Sequence, residues 1–406
     1  MPISLFLRGL PLVIVAAVAA VAAEPDVAAF KQAQRRLRDA QAAGDLPAVR
    51  AAVDKMRAAL GDQLGQPEGG EPKRVNADRF PAPTAAAART YLEQFRARYA
   101  ADVERNLADI RRPAQLSAGL RTLATLAIAD ARLAAAGEPA GDALRQEAVR
   151  AADALCSVQR ENGLFPFPDI RQKSEFFGRM IRDLLARHPD ALADGWIVSD
   201  GGSGDLQYDN GLCGEALLEV HALTGDAKYL AAARRSAAWV KTQPIVANWN
   251  YNAFSVGFLA RLAFVTKDRA WLDEAVRRCR LGMLPGQMAD GRWLDPHNAK
   301  LVYHTILGRA LVELVVAGRA LGAADAEIER ATAAALANAA DEILNRGVSV
   351  VTVPTQTIAS ALLRWRDDPT WHKALNALAA VGLARGAPES EMGLYAASYL
   401  EYAARR

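Results

Sequence analysis

Apolar residues recur along most of the chain with the spacing of amphipathic helices, and no long stretch alternates apolar and polar residues as a half-buried strand does. From about residue 84 onward, segments rich in Ala, Leu, Val and Arg predict one helix after another. Residues 348–353 form the exception, a short β-branched run. The pattern therefore predicts an all-α fold.

A repeat becomes visible when residues 221–230 are aligned with residues 263–272, 42 positions later. In both segments a helix end is followed by a tight turn containing Asp and then by a new helix. Asp226 and Asp268 suit the position before the new helix, because a carboxylate there accepts hydrogen bonds from unpaired backbone amides. Asp368 stands in a similar place before Trp371. The repeated unit is predicted to be an antiparallel helical hairpin.

Short turns and long connections alternate along the chain. First helices of the hairpins are predicted near residues 115–136, 206–224, 250–266, 300–320, 355–366 and 391–404. Second helices are predicted near residues 140–160, 226–242, 268–282, 326–345 and 368–385, with residues 84–108 as the sixth partner. Six hairpins of this kind would form a closed α/α toroid, and an open solenoid is the alternative. The long connections would emerge at one end, where loops on a rigid scaffold tend to carry function.

The N-terminal part divides into three segments before a toroid domain at residues 84–406. Residues 1–23 contain Arg8 as their only charge and an apolar run of 14 residues, which predicts a signal peptide cleaved after about Ala23. The mature protein is then expected in the periplasm or outside the cell, without stable membrane insertion; an uncleaved anchor is the alternative. Residues 24–64 are predicted to form a helical hairpin appendage, and residues 65–83, rich in Pro and Gly, a linker.

Charge and cysteine content narrow the possible partners. The chain has 49 Lys and Arg against 46 Asp and Glu, a formal net charge of +3, which gives no electrostatic case for binding nucleic acid. Cys156, Cys213 and Cys279 are predicted to be buried small hydrophobes, with one disulfide as the alternative. Their spacing does not suit a metal site, and no metal or cofactor is expected.

The first long connection combines aromatic and acidic residues just before a predicted helix. The residues proposed to bind substrate there are Trp196, Asp200, Asp205 and Tyr208, and Asp209 is a candidate catalytic acid. Aromatic rings can cover the apolar face of a sugar while carboxylates bind its hydroxyls or transfer protons. The alternative is a Gly-rich turn that caps the helix.

The next two connections add further polar and aromatic residues. The proposed substrate-binding residues in them are Trp249, Asn250, Tyr251, Arg292, Trp293, His297 and Asn298, and the candidate catalytic residues are Asp295, Tyr303 and His304. His is suited to proton transfer near neutral pH. A buried, hydrogen-bonded core histidine is the alternative for His304. Asn210 and Asn252 occupy equivalent places in the repeat and are expected to serve helix starts rather than catalysis.

Two segments share a glutamine, a glycine and an aromatic residue at fixed spacing. They are Gln287-Met-Ala-Asp-Gly291-Arg-Trp293 and Gln159-Arg-Glu-Asn-Gly163-Leu-Phe165. Together with the hairpin pattern from residue 84 to residue 404, they resemble the exported six-hairpin glycosidase-like superfamily. That resemblance implies an α/α toroid, and a glycan or polysaccharide as substrate.

Two kinds of reaction are compatible with this resemblance. A glycoside hydrolase, which the acidic first connection slightly favours, would take its acid and its base or nucleophile from Asp200, Asp205, Asp209 and Asp295. A polysaccharide lyase would use Tyr303 or His304 to remove the proton next to a uronate carboxylate, with Asn250 and Arg292 neutralising that carboxylate. A non-catalytic toroid that binds a glycan or a protein is the third possibility.

Overall fold

The computed structural model describes residues 25–67, 73–116, 119–138, 140–349, 363–385 and 392–405. Long helices dominate this part of the chain, which confirms the all-α prediction. The predicted signal peptide lies outside the described residues. So does most of the predicted helix at residues 355–366.

The helices follow one another with short turns and longer connections between them. They are α1 (Val27–Ala43), α2 (Leu46–Leu60), α3 (Ala85–Ala108), α4 (Arg121–Ala135), α5 (Gly141–Val158), α6 (Glu175–Arg187), α7 (Asp205–Thr224), α8 (Ala227–Thr242), α9 (Trp249–Thr266), α10 (Arg269–Gly282), α11 (Leu301–Ala320), α12 (Ala326–Arg346), α13 (Pro369–Arg385) and α14 (Met392–Ala404). Two-residue strands are β1 (Arg74–Val75), β2 (Phe167–Pro168), β3 (Leu192–Ala193), β4 (Trp196–Ile197) and β5 (Val348–Ser349). β1 pairs antiparallel with β5, and β4 lies between β2 and β3.

The helices pack as antiparallel neighbours within hairpins and side by side between them. α4 packs on α5, α7 on α8, α9 on α10 and α11 on α12. One helix of each hairpin also packs on the next, in the order α4, α7, α9, α11, and α14 packs on both α4 and α3. These four helices, with α14, form an inner layer that the other helices surround.

The tight turns between paired helices have the predicted caps. Asp226 accepts a hydrogen bond from the Lys228 amide, and Asp268 accepts one from the Ala270 amide, each at 2.9 Å. Asp368 does the same for the Thr370 amide, also at 2.9 Å. Each carboxylate satisfies an amide that has no partner within its helix.

In both glutamine motifs the side chain forms the same two hydrogen bonds, one to a turn and one to the following outer helix. The Gln159 amide donates to the carbonyls of Gly163 (3.1 Å) and Ala232 (2.9 Å), and Gln287 repeats these two bonds with the same lengths to Gly291 and Ala331. Gly163 and Gly291 have φ near +90°, and a Cβ on either would lie about 2 Å from a backbone oxygen of the outer helix. Glycine is therefore required at both positions.

The N-terminal hairpin α1–α2 packs on the connection that follows α10. The Gln41 side chain donates to the Leu281 carbonyl at 3.1 Å, and Arg57 donates to the Gln287 carbonyl at 3.2 Å. Within the segment predicted to be a linker, the Gly65 amide donates to the Leu294 carbonyl at 2.8 Å. The hairpin and the start of the following segment are thus attached to the helical domain.

The buried core is contiguous and rich in Ala and Leu. Its thiols include Cys213 and Cys279, and all three cysteines are free. Burial raises the pKa of Cys156 to about 11, so that this thiol stays protonated at neutral pH.

Candidate functional site

The inner helices α4, α7, α9 and α11 start close together. Arg121 of α4 bonds Asp209 of α7, and Tyr251 of α9 bonds Asp205 of α7. Asn250 of α9 bonds Asn298, which lies just before α11. The first turns of these helices carry Arg121, Tyr208, Tyr251 and Tyr303, and Asp205 begins α7. We call this group of five residues the mouth. All five side chains are partly exposed, so the mouth is the place where a ligand can meet several inner helices at once.

Arg121 and Asp209 form a bidentate ion pair across the starts of α4 and α7. Arg121 Nε and Nη2 each donate to a different Asp209 oxygen at 2.9 Å. The guanidinium also lies over the Tyr208 ring, 3.8 Å from its centre. Burial opposes the charge of Arg121, but Asp209 outweighs burial and raises the pKa of the guanidinium. Arg121 is therefore a permanent positive charge at the mouth.

The same pair removes Asp209 from the set of accessible acids. Its side chain is almost fully buried, and both of its oxygens accept from Arg121. In this structure Asp209 orients Arg121, and it does not face the mouth as the free carboxylate that the sequence suggested.

Tyr251 donates to Asp205 at 2.5 Å, and Ser203 donates to the other Asp205 oxygen at the same distance. Burial and Asp205 raise the pKa of the Tyr251 phenol. Tyr303 raises it further, whereas Arg121 lowers it. The Tyr251 phenol therefore stays protonated at neutral pH and has a proton to donate.

Tyr303 stacks on His297 with ring centres 4.2 Å apart and an interplanar angle of 22°. Both rings are half-buried at the edge of the mouth. A histidine beside a phenol can exchange protons with it or fix its orientation.

Asp295, Asn298 and Asn250 form a buried network beneath His297. Asn298 donates to Asp295 through its backbone amide and its side chain, at 3.0 Å each, and its Oδ1 accepts from the Asn250 side chain at 3.0 Å. Burial raises the pKa of Asp295, while the bonds from Asn298 oppose that shift. The network fixes the loop that carries His297, and its members are almost fully buried.

The three candidate tryptophans are enclosed. Trp249 and Trp293 have no exposed surface and Trp196 is 5% exposed. Trp293 donates to the Met283 carbonyl at 3.0 Å, and the Trp249 ring packs so closely on Gly286 that a Cβ there would lie 2.5 Å away. These rings stabilise the connections, and in this structure they offer no face for a sugar.

Asp200 and Arg292 also have local roles. Asp200 accepts from the amides of Gly202, Gly204 and Leu206 at about 3.0 Å, and so organises the start of α7. Arg292 contacts Asp290 at 3.1 Å and the Gly65 carbonyl at 3.3 Å. It fastens the segment after α2 rather than facing the mouth.

Asn210 and Asn252 each bridge a helix start to the preceding connection, as expected. Asn210 pairs with both backbone groups of Phe165 at 2.9 and 3.1 Å, and Asn252 pairs with those of Val246 at 3.0 and 2.7 Å. Both side chains are fully buried. This agrees with the prediction that they serve helix starts.

His304 occupies in α11 the same fourth position that Asn252 occupies in α9. Its Nε2 lies 2.7 Å from the Ala335 carbonyl of α12, and its ring meets Trp293 edge-on at 5.4 Å. Burial lowers the pKa of the imidazole, which therefore stays neutral. The structure thus corrects the placement expected from the sequence, because this side chain faces the outer helix instead of the centre.

Below the mouth, oppositely charged side chains fill the space between the inner helices. Arg132 of α4 bonds Glu215 at 3.2 Å and Glu219 at 3.1 Å, both on α7. Arg261 of α9 pairs with Glu219 at 3.4 Å, and Arg309 of α11 contacts Glu215. Arg121 and Arg132 lie on one face of α4, eleven residues or three turns apart. The charged cluster therefore lies towards the opposite ends of these helices, where Arg132, Glu219 and Arg261 line a cavity of about 640 Å³.

Sequence reasoning missed Arg121. The residue begins an inner helix outside the three connections that drew attention, and its spacing to Asp209 is 88 positions. The available signal was a charged residue at the start of an apolar, almost wholly buried helix.

No family model matches the chain, and no curated protein is significantly similar to it. In the described residues no group of three or more His, Cys, Asp or Glu side chains is placed to hold a metal ion. Within the same residues α11 is long and apolar enough to cross a membrane, but 72% of its apolar window is buried in the fold, as in a core helix.

Proposed function

We propose that the chain is an exported carbohydrate-active enzyme with an α/α toroid fold, and that it acts on an acidic glycan at the mouth. The order of helix neighbours, with α14 returning to α4, supports a ring of hairpins. The apolar N-terminal segment supports export.

The observation that carries the proposal is that three tyrosines and one cation lie in the first turns of the inner helices. Tyr208, Tyr251 and Tyr303 come from three successive inner helices, and Arg121, which lies over the Tyr208 ring, is 32% exposed. Aromatic faces suit sugar rings, and a guanidinium suits the carboxylate of a uronic acid. The mouth therefore fits an acidic sugar better than a neutral one.

The placement of the carboxylates favours elimination over hydrolysis. Hydrolysis needs two carboxyl groups flanking the scissile bond. Asp209 is paired with Arg121, Asp295 is buried under Asn298, and Asp200 caps α7. Asp205 is the remaining acid at the mouth among the candidates from the sequence.

In the proposed elimination Tyr303, as a phenolate, removes the C5 proton of a uronate whose carboxylate is neutralised by Arg121. The electron pair of that C–H bond forms a C4–C5 double bond, and the C4–O bond breaks. Tyr251, whose pKa is raised by burial and by Asp205, donates a proton to the departing oxygen. Exchange of protons with water restores both tyrosines.

The test is incubation of the purified protein with neutral and uronic polysaccharides. Elimination gives new reducing ends together with ultraviolet absorbance from a double bond conjugated to a carboxylate. New reducing ends without that absorbance would mean hydrolysis, with Asp205 as the first acid to replace. Binding without any cleavage would mean a non-catalytic toroid.

Tyr303→Phe should lower turnover by about a hundredfold or more, because one proton-transfer group is lost while the ring remains. The matched control is Tyr229→Phe. Tyr229 lies in the first turn of α8, at the opposite end of the hairpin, and donates to Asp153 at 2.8 Å. Equal turnover in wild type and Tyr303→Phe would remove Tyr303 from the reaction.

A further inference from the structure

A cavity of about 390 Å³ lies between the N-terminal hairpin and the edge of the mouth. Gln34, Arg38 and Met56 line it from the hairpin. The residues opposite include Ser203, Asn248, Asp295 and His297. Its volume is within the range of small-molecule sites.

The cavity adjoins the proposed reaction site through two residues. His297, which lines it, stacks on Tyr303 at 4.2 Å. Ser203, which also lines it, donates to Asp205 at 2.5 Å. A glycan that placed one sugar at the mouth could therefore place a neighbouring sugar in this cavity.

The hairpin wall of the cavity is fixed to the rest of the protein. Met56 is almost fully buried, and Gln41 and Arg57 bond backbone carbonyls of residues 281–287. Gln34 and Arg38 are one helical turn apart on α1, so both can face the same side. The hairpin thus presents them from a rigid support.

The hairpin is also strongly basic. Residues 27–60 contain seven Lys and Arg against three Asp, in a chain whose whole net charge is +3. Arg38 is exposed, and Gln34 is half-buried at the cavity. An exposed cation next to an open polar cavity attracts anions and can bind a carboxylate.

We propose that α1 forms one wall of the substrate cleft, where Arg38 and Gln34 bind a second acidic sugar unit beside the reacting one. This inference rests on the proposed function and adds a binding site to it. It assigns to the hairpin, an appendage by sequence, a direct role in selecting anionic glycans.

The test compares Arg38→Gln with Arg36→Gln. Both variants remove one exposed positive charge from α1, but residue 36 is 200° around the helix from residue 38 and does not line the cavity. Affinity electrophoresis measures binding to polygalacturonate, alginate and hyaluronan. Carboxyl-reduced polygalacturonate is the neutral control polymer.

Arg38→Gln should weaken binding to the preferred acidic polymer about tenfold and raise KM more than it lowers kcat, because Arg38 lies away from the reacting bond. Arg36→Gln should change either value by less than about twofold. The two variants should melt within a few degrees of wild type, since both side chains are exposed.

Equal losses in the two variants would mean diffuse attraction and would overturn the site, as would unchanged binding in Arg38→Gln. If wild type cleaves or binds an acidic polymer, either result rejects the hairpin site alone. If wild type binds the carboxyl-reduced polymer as well as the acidic one, the acidic-glycan proposal and the hairpin site both fail.

Discussion

Replacing Glu219 with Gln would keep the shape of a buried side chain while removing its charge from among arginines. Glu219 bonds Arg132 at 3.1 Å and Arg261 at 3.4 Å, and its side chain is 10% exposed. Burial alone would raise the pKa of Glu219, but the arginines outweigh burial and lower it from 4.5 to about 2. This shift of roughly 2.5 pH units corresponds to about 3 kcal/mol of stability at neutral pH.

A second estimate of the stability lost in Glu219→Gln gives a similar value. Removing one partner of a buried ion pair leaves the other charge uncompensated, which costs about 3–5 kcal/mol. Because the folded pKa of Glu219 is depressed, its contribution is complete above the unfolded pKa of about 4.3. The contribution is lost as pH falls from there towards about 2.

Urea unfolding of wild type and Glu219→Gln at several pH values measures both effects. We expect a difference of about 3 kcal/mol at pH 7 that shrinks below about pH 4.5. The control is Glu104→Gln, whose 2.7 Å pair with Arg150 is 59% and 53% exposed and should contribute less than about 1 kcal/mol. A loss below about 1 kcal/mol in Glu219→Gln at pH 7 would refute the reasoning.

Two further predictions concern buried titratable residues. His304→Gln should lower stability by about 1–3 kcal/mol, because the bond to Ala335 and the contact with Trp293 are disturbed. Turnover per folded molecule, measured on the same preparation as the melting temperature, should not change. A hundredfold fall in turnover would return His304 to the site. Burial raises the pKa of Asp130 to about 7 despite Arg96, so wild type should lose unfolding free energy as pH rises from about 4 to about 7. In Asp130→Asn this loss should be absent from urea titrations across that range, and an unchanged pH profile would contradict the assignment.

Helix positions could be read from the sequence because burial imposes a period of 3.6 residues on each one. The predicted hairpins at residues 206–242 and 250–282 match α7–α8 and α9–α10 closely. Helix α6 was not predicted. It lies within a long connection, but Phe177, Ile181 and Leu184 have the spacing of an amphipathic helix and pack on the core, so the sequence did carry a signal for it.

Site residues were harder to predict because spacing shows where a side chain starts, not which neighbour covers it. Trp249 and Trp293 looked suited to stack on sugars, yet Gly286 and Met283 lie against them in the fold. Tyr251 and Tyr303 are partly exposed in the first turns of α9 and α11. Arg121 could not be predicted, because its contacts with Asp209 and Tyr208 arise only in the tertiary structure.

We expect the pairing of α3 with α14 to form late in folding. Some 280 residues separate Ala108 from Met392, and the Tyr399 hydroxyl bonds the Pro83 carbonyl at 2.9 Å. Contacts between distant parts of a chain form slowly because a long loop must close first. Until α14 is in place, the flank of α4 that it covers stays exposed to water. A nascent or truncated chain without α14 should therefore be prone to aggregation rather than simply smaller.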